Sequence, residues 1–352
     1  MTRNTKAKRP PFEIAGTVVP AGTRATVGIP LSVLSDHTPM TLPVQVIHGR
    51  REGPVGFVSA AVHGDEIIGV EIIRRLARVA ALRRLSGTLL LVPIVNTFGF
   101  ISHSRYLPDR RDLNRSFPGS ETGSLASQLA HRFLNDVVAR CDFGIDLHSA
   151  AVNRENLPQI RVNPDDARSM DLAKVFGAPV IIKSPLRDGS LRSAAHKREV
   201  PVLVYEAGEG LRFDEFSIRV GVKGVLRVLQ YSGMTASRSI KAAAIESPVA
   251  RKSSWMRAPA GGILRALRKS GDTVKKGEVL GIISDPFGEE ETEVAAATGG
   301  LVIGRTNLPV VNQGDALFHV AILPAPKAAG EAIDVVEQDV GNDPIFDEDE
   351  IL

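Results

Sequence analysis

Five short runs, VGFVSAAV, GTLLLVPIV, FGIDLH, APVIIK and VPVLVYEAG, constrain the fold of this chain more than any other feature. Each is close to continuously apolar instead of alternating apolar with polar residues, the pattern of a strand covered on both faces. Between them, residues 66–81, 124–140, 167–176 and 213–231 read as helices. Strands that alternate with helices specify an α/β fold, a mostly parallel or mixed sheet wrapped by helices. In such sheets the ligand site lies at the carboxyl ends of the strands.

Those strand ends carry unusual side chains. The first run ends in His63-Gly64-Asp65-Glu66, the third in Asp146-Leu147-His148-Ser149, and the fifth in Tyr205-Glu206-Ala207-Gly208. A histidine and two acids within four residues are costly to bury unless something pairs with them. At the start of a helix, His63 and Glu66 share a face and converge on one point. One imidazole and one carboxylate suit a borderline-soft cation such as zinc, which needs a third protein ligand and an open position; His148 is the natural candidate. The competing reading is a helix capped by Asp65, with His63 and Glu66 on the surface. Glu206 at its strand end suits a general base, or else pairs with an arginine. Asp146, two residues before His148 on one strand, is placed either to share its face and orient it or merely to occupy the face of the sheet.

RYLPDRRDLNRSFPGS, residues 105–120, is a loop dense in cations with an Asn114-Arg115 pair. Arginine forks bind carboxylates bidentately, and asparagine adds a donor and an acceptor. Beside a metal such a loop would orient an anionic substrate; otherwise Asp109, Arg110, Arg111 and Asp112 pair among themselves on the surface.

Composition narrows the partners. The net charge of +3 conceals an asymmetry, because residues 331–352 hold nine acids and no base. No basic and aromatic interleaving marks a nucleic-acid groove, and no apolar window is long enough for a membrane span. Arg3, Lys6, Lys8 and Arg9 have no apolar run behind them, unlike a signal peptide. Cys141 is the only cysteine, which excludes an internal disulfide or multi-cysteine zinc site and fits a reducing, cytoplasmic setting. Residues 237–254 are rich in Ser and Ala and read as a linker. Beyond them GGILRALRKSGDTVKKGEVLGII parallels GGLVIGRTNLPVVNQGDALFHV, two halves of a small all-β domain with the texture of a barrel-sandwich carrier domain but without its modified-lysine tripeptide.

The motifs HGDE, DLNRSFPG, DLHS and YEAG, in this order over residues 44–230, resemble the succinylglutamate desuccinylase and aspartoacylase family, a branch of the zinc carboxypeptidase fold. The resemblance implies one zinc per chain, with His63, Glu66 and His148 as its ligands. It makes Asn114 and Arg115 the holders of the substrate carboxylate and Glu206 the group that activates water. Arg105, or Arg110 because the spacing is longer here, would hold the oxyanion, and Arg192 would contact the substrate's acid. The family's late active-site tyrosine has no match. The implied organisation is an N-terminal extension with the first strands at 1–43, a zinc-dependent hydrolase domain at 44–236, the linker at 237–254, an accessory β domain at 255–325, and a disordered acidic tail at 326–352. Three functions remain in competition: a deacylase acting on a small N-acyl amino acid, a carboxypeptidase, and a non-catalytic binding module. A homo-oligomer is compatible with each.

Overall fold

Four of the five apolar runs become the parallel centre of one large sheet, and APVIIK lies outside that centre. The computed structural model describes residues 9–341 apart from 237 and 239. Its main strands are β1 (Thr23–Val33), β2 (Pro39–His48), β3 (Arg51–Ala60), β4 (Ser86–Val92), β5 (Phe143–His148), β6 (Arg154–Val162), β7 (Val180–Lys183) and β8 (Val202–Gly208). Strands β8, β5, β3 and β4 lie side by side in that order and run parallel. The antiparallel β2 and β1 extend one edge, and β6 lies antiparallel to β8 on the other side. The sheet is therefore mixed; before it, Phe12–Ile14 and Thr17–Val19 pair as a separate two-stranded ribbon.

Helices cover both faces, as two-sided burial requires. On one face α1 (Ile68–Leu76), α4 (Ala167–Phe176) and α6 (Glu215–Tyr231) pack over Val58, Ile145, Leu147 and Leu203. On the other, α3 (Leu125–Asp136) and α5 (Leu191–His196) pack near Phe57, Leu90 and Val202. A short α2 (Thr97–Ile101), capped by Asn96 accepting from Gly99 N, follows β4. Gly69 lets α1 approach the sheet closely, because a Cβ there would stand 2.6 Å from the Cβ atoms of Ala60 and Leu147.

The C-terminal strands are β9 (Lys252–Arg257), β10 (Gly262–Ala266), β11 (Val279–Ser284), β12 (Glu291–Ala295), β13 (Gly300–Thr306), β14 (Val310–Val311) and β15 (Ala316–Ile322). The sequence repeat is realised as exchange between two halves. β10 of the first half pairs with β14 of the second, and the first half's short strand Thr273–Val274 pairs with β13.

Two boundaries differ from the sequence reading. The expected linker ends early, because Val249–Ala250 adds in parallel to β7 and β9 begins at Lys252; an apolar dipeptide beside an open strand completes backbone hydrogen bonds that water would otherwise satisfy. The expected disordered tail is helical over α7 (Pro326–Gly341), while residues 342–352, like Arg3, Lys6 and Lys8, lie outside the described residues. Ala329, Ile333, Val336 and Val340 form a stripe spaced four, three and four residues apart and are all buried, which is the periodicity of a docked amphipathic helix. Ile333, Val336 and Val340 each contribute roughly 1.5–3 kcal/mol on leaving water. Asp339 on the same helix pairs with the buried Lys223 and Arg227. Acidic composition alone concealed this stripe. No helix among the described residues is long and apolar enough to cross a membrane.

Candidate active site

Strands β3, β5 and β8 are adjacent, so their carboxyl ends deliver the three motifs to one place. Across the ladders Ser59 is level with Asp146, Asp146 with Val204, and His148 with Glu206. Partners at the same level share a face, so Ser59, Asp146, His148 and Glu206 all project from one side of the sheet. The chain after β3 then turns sharply through His63–Glu66 before α1 begins at Ile68. His63 and Glu66 thus sit in a turn rather than on the helix, and Asp65 does not cap it, since the cap position is Ile67 with no side-chain bond. The turn is pressed against the start of α2: a Cβ on Gly64 would stand 1.9 Å from the Gly99 carbonyl carbon. Gly64 is required by that approach, whereas the Asp65 carbonyl accepts from Leu211 N at 2.8 Å and ties the turn to the loop after β8.

His63, Glu66 and His148 are each buried, and each offers a ligating atom within 4.8 Å of the others. His63 Nδ1 lies 2.7 Å from Glu66 Oε1, and His148 Nδ1 lies 2.6 Å from Glu66 Oε2. The outer nitrogens meet carboxylates. His148 Nε2 is 2.7 Å from Asp146 Oδ2, and Ser59 Oγ donates to Asp146 Oδ1 at 2.7 Å. His63 Nε2 is 3.2 Å from Asp112 Oδ1. Each imidazole is thus held at Nε2 by an acid, leaving Nδ1 for an ion, the arrangement that fixes a metal-binding tautomer. Two neutral imidazoles and a carboxylate with this backing fit zinc.

The electrostatics follow from this crowding. Burial would lift the Glu66 carboxyl, yet the charges of His63 and His148 outweigh it and hold it well below the ordinary range. Burial would lower both imidazoles, and the surrounding carboxylates carry them upward instead, Glu66 for His63 and Asp146 then Glu66 for His148. Asp65, lifted by burial and by the charge of Glu66, keeps Oδ1 buried without a partner.

The 105–120 loop closes one side. Arg105 Nη1 donates to Glu66 Oε1 at 3.1 Å, and its Nη2 donates to Asp112 Oδ2 at 3.0 Å. Arg110 is exposed and absent from the lining of the cavity, so of the two candidate arginines only Arg105 stands at the site. Asn114 and Arg115 line the cavity as expected. Asn114 Oδ1 accepts from Leu191 N at 2.9 Å, which commits its oxygen to α5 and leaves its amide N–H groups for a ligand. Glu206 Oε2 accepts from Asn156 Nδ2 at 2.9 Å, and Oε1 lies 3.6 Å from Arg161 Nη1. Arg192 also lines the cavity, whose volume is about 620 Å³, a size suited to a small molecule.

The family model of the succinylglutamate desuccinylase/aspartoacylase catalytic domain matches residues 52–232, just over half of the chain. The chain belongs to this family of deacylases. It is 31% identical over 201 residues to an N-alpha-acetyl-L-2,4-diaminobutyric acid deacetylase of Halomonas elongata, a stretch that covers 55% of this chain and 58% of that protein. Among solved structures, a succinylglutamate desuccinylase/aspartoacylase from Rhodobacter sphaeroides is 27% identical with a TM-score of 0.74, covering 85% of this chain and 95% of that one. The product-bound ectoine utilization protein EutE (DoeB) from Ruegeria pomeroyi shares the fold, with 23% identity, a TM-score of 0.76, and coverage of 85% and 95%.

Several residues of the site escaped the sequence reading. Asp112, which does not line the cavity but backs His63 and Arg105, stands two places before Asn114 in DLNR, and its spacing was its only signal. Arg161 and Asn156 lie on β6, whose mixed run RENLPQIRV carries no continuous apolar signal. Trp255 on β9 and His319 on β15 come from the C-terminal part and line the same cavity; the single tryptophan of the chain was the available hint.

Proposed function

We propose that this family member is a zinc-dependent amidohydrolase that removes the acyl group from an N-acyl amino acid. The observation that carries the reading is the cradle of His63 Nδ1, Glu66 and His148 Nδ1, each imidazole backed by a carboxylate, in one small cavity with Glu206. Zinc held there supplies the Lewis acidity that makes water a nucleophile near neutral pH and polarises an amide carbonyl.

The chain's own groups then divide the work. Glu206 accepts the proton of the attacking water at Oε1, because Oε2 is engaged by Asn156, and returns it to the leaving nitrogen. Arg105, fixed between Glu66 and Asp112, presents positive charge to the developing oxyanion, commonly the largest single contribution to such catalysis. Asn114, through its free amide N–H groups, and Arg115 hold the substrate carboxylate, with Arg192 at a further acidic group. Asp146 and Asp112 keep the imidazoles turned toward the ion.

The test is a substrate panel of N-succinyl, N-acetyl and N-formyl amino acids alongside short peptides, assayed by release of free amine from zinc-loaded protein. Hydrolysis of the N-acyl amino acids is expected. Release from peptides only would replace the reading with a carboxypeptidase, and no release from either would reject an amidohydrolase.

A further inference from the structure

A second concave site lies at the other end of the sheet from the metal cradle, and its walls carry charge of one sign. Arg51 opens β3, and Ala60 closes it three residues before His63. The strand therefore sets the two sites roughly 30 Å apart, at about 3.3 Å per residue. Four segments meet there: the start of β1, the turn from β2 into β3, the residues that follow α1, and the short helical turn Ala80–Arg84. They enclose a cavity of about 1040 Å³, larger than the active-site cavity. Arg24, Arg50, Arg51, Arg78, Arg83 and Arg84 line it, and no acid does. Six positive charges in one cavity exceed the net charge of +3 on the whole chain. Glu52, the nearest acid in sequence, turns to Arg9 at 3.5 Å. Carbonyl oxygens meet only part of the charge. Arg24 Nη1 donates to the Ala77 carbonyl at the end of α1, and Arg51 Nη2 donates to the Arg84 carbonyl at 3.3 Å. Arg24, Arg50, Arg51, Arg83 and Arg84 form no ion pair among the described residues. Burial, and then the charge of Arg83, bring the Arg24 guanidinium below its ordinary value, so these cations work against one another.

Arginines spread over a convex face are simply solvated, whereas a concave wall of one sign focuses its field on whatever anion enters. The carbonyl end of α1 offsets only about half a unit of charge, which accounts for Arg24 and leaves the others. We propose that this cavity is a binding site for a small ligand bearing two or more phosphoryl groups. Arginine forks meet phosphoryl oxygens bidentately, and linked phosphoryl groups bring several negative charges into a volume this small. No Phe, Tyr or Trp lines the cavity, so it has no stacking platform for the bases of a nucleic-acid strand. His48 is the one lining residue suited to proton transfer, and both of its nitrogens are engaged: Nδ1 lies 2.9 Å from Thr88 Oγ1 and Nε2 lies 2.9 Å from the Pro10 carbonyl. The ligand is therefore held and not turned over. This site shares no residue with the active-site cavity, so it stands whether or not the deacylase reading does.

Calorimetric titration of the full chain tests it, with inorganic tripolyphosphate, pyrophosphate, orthophosphate and citrate as probes at about 0.15 M salt, where distant surface charges are screened. The chain is first freed of metal, because polyphosphates chelate zinc. Tripolyphosphate should bind at one site per chain, ten-fold or more tightly than orthophosphate and more tightly than citrate. Arg83→Gln combined with Arg84→Gln should weaken that binding ten-fold or more, with folding checked by circular dichroism. Arg168→Gln, exposed on α4 and outside the cavity, and Arg115→Gln in the active-site cavity should each leave it within two-fold. Loss of binding in Arg115→Gln would move the anion to the active site and overturn the proposal. An equal loss in Arg168→Gln would reduce it to general charge attraction. Absence of saturable binding, or citrate binding more tightly than tripolyphosphate, would overturn it as well.

Discussion

Asp112 links the proposed metal cradle to Arg105, the arginine proposed to meet the oxyanion, so Asp112→Asn separates two contributions with one atom. Oδ1 accepts from Asn114 N at 2.8 Å and faces His63 Nε2 at 3.2 Å; Oδ2 accepts from Arg105 Nη2 at 3.0 Å and Nε at 3.3 Å. The native carboxyl stays ionised, since the hydrogen bond from His63 and the charges of His63 and Arg105 outweigh the lifting effect of burial. An asparagine that keeps its oxygen toward His63 turns its amide N–H groups against the two Arg105 donors. Hydrogen bonds to charged groups contribute about 1.5–3 kcal/mol each. Arg105 is 28% exposed in its side chain and keeps Glu66, so a discounted loss of about 2–3 kcal/mol follows for the pair. If that loss falls on the transition state, kcat/KM drops about 30- to 150-fold with little change in KM. Weaker orientation of His63 adds a loss of about ten-fold or more in zinc affinity. The two are read separately, by steady-state kinetics at saturating zinc and by chelator competition. A variant within two-fold of wild type in both measurements would refute the role assigned to this carboxylate.

Three other outcomes are expected. Glu206→Gln should keep its zinc and lose about 100- to 10,000-fold in kcat, the usual contribution of a general base; near-normal turnover would move the base elsewhere. His148→Ala removes one of three ligands and should abolish stoichiometric zinc by elemental analysis, so full metal retention would sink the ligand set. Asp339 sits below its ordinary value of 3.8, because Lys223 and Arg227 outweigh the effect of burial; a depressed carboxylate stabilises above its unfolded value and loses that contribution as pH falls below about 4. Asp339→Asn should therefore cost about 2–3 kcal/mol at neutral pH and flatten acid sensitivity, measured by urea unfolding from pH 7 to 3; an unchanged acid limb would refute it.

The chemistry of the site was legible because it sits where β-strands end. Continuous apolar runs located β3, β5 and β8, and the polar quartets that stop them could be inspected without a structure. His63, Glu66, His148, Glu206, Arg105, Asn114, Arg115 and Arg192 all line one cavity. The partners that orient them were less legible, for physical reasons. Asp112 looked like one more acid in a loop of arginines, because pairing within a loop and pairing across to His63 leave the same sequence. Arg161 sits on a strand whose apolar and polar residues mix, and His319 is the lone polar residue of an apolar strand far along the chain from the site motifs, so nothing marked which side faced the site. Helix α7 was hidden by averaging: nine acids in twenty-two residues outweighed a stripe that only its spacing reveals.

The C-terminal strands matter to the site because of one row of backbone pairs. Gly208 is level with Asn156, Asn156 with Gly304, Gly304 with His319, and His319 with Trp255. The row runs from the strand carrying Glu206 to the far wall of the cavity through paired neighbours, with bulges beside Gly208 and Gly304. Gly304 is the tight point, because a Cβ there would stand 2.7 Å from Asn156 Oδ1 and 2.8 Å from the Glu155 carbonyl. Asn156 is the residue whose Nδ2 holds Glu206 Oε2. A side chain at position 304 would therefore push on the carboxylate proposed as the base, while the same strand carries the Trp255–His319 stack through β15. Backbone ladders are stiff, so the cavity wall carrying His319 and the strand carrying Glu206 are registered to within the pleat of one sheet. The C-terminal strands thus form a wall of the cavity through Trp255 and His319, and Gly304 beside β6 fixes the space in which Asn156 holds Glu206.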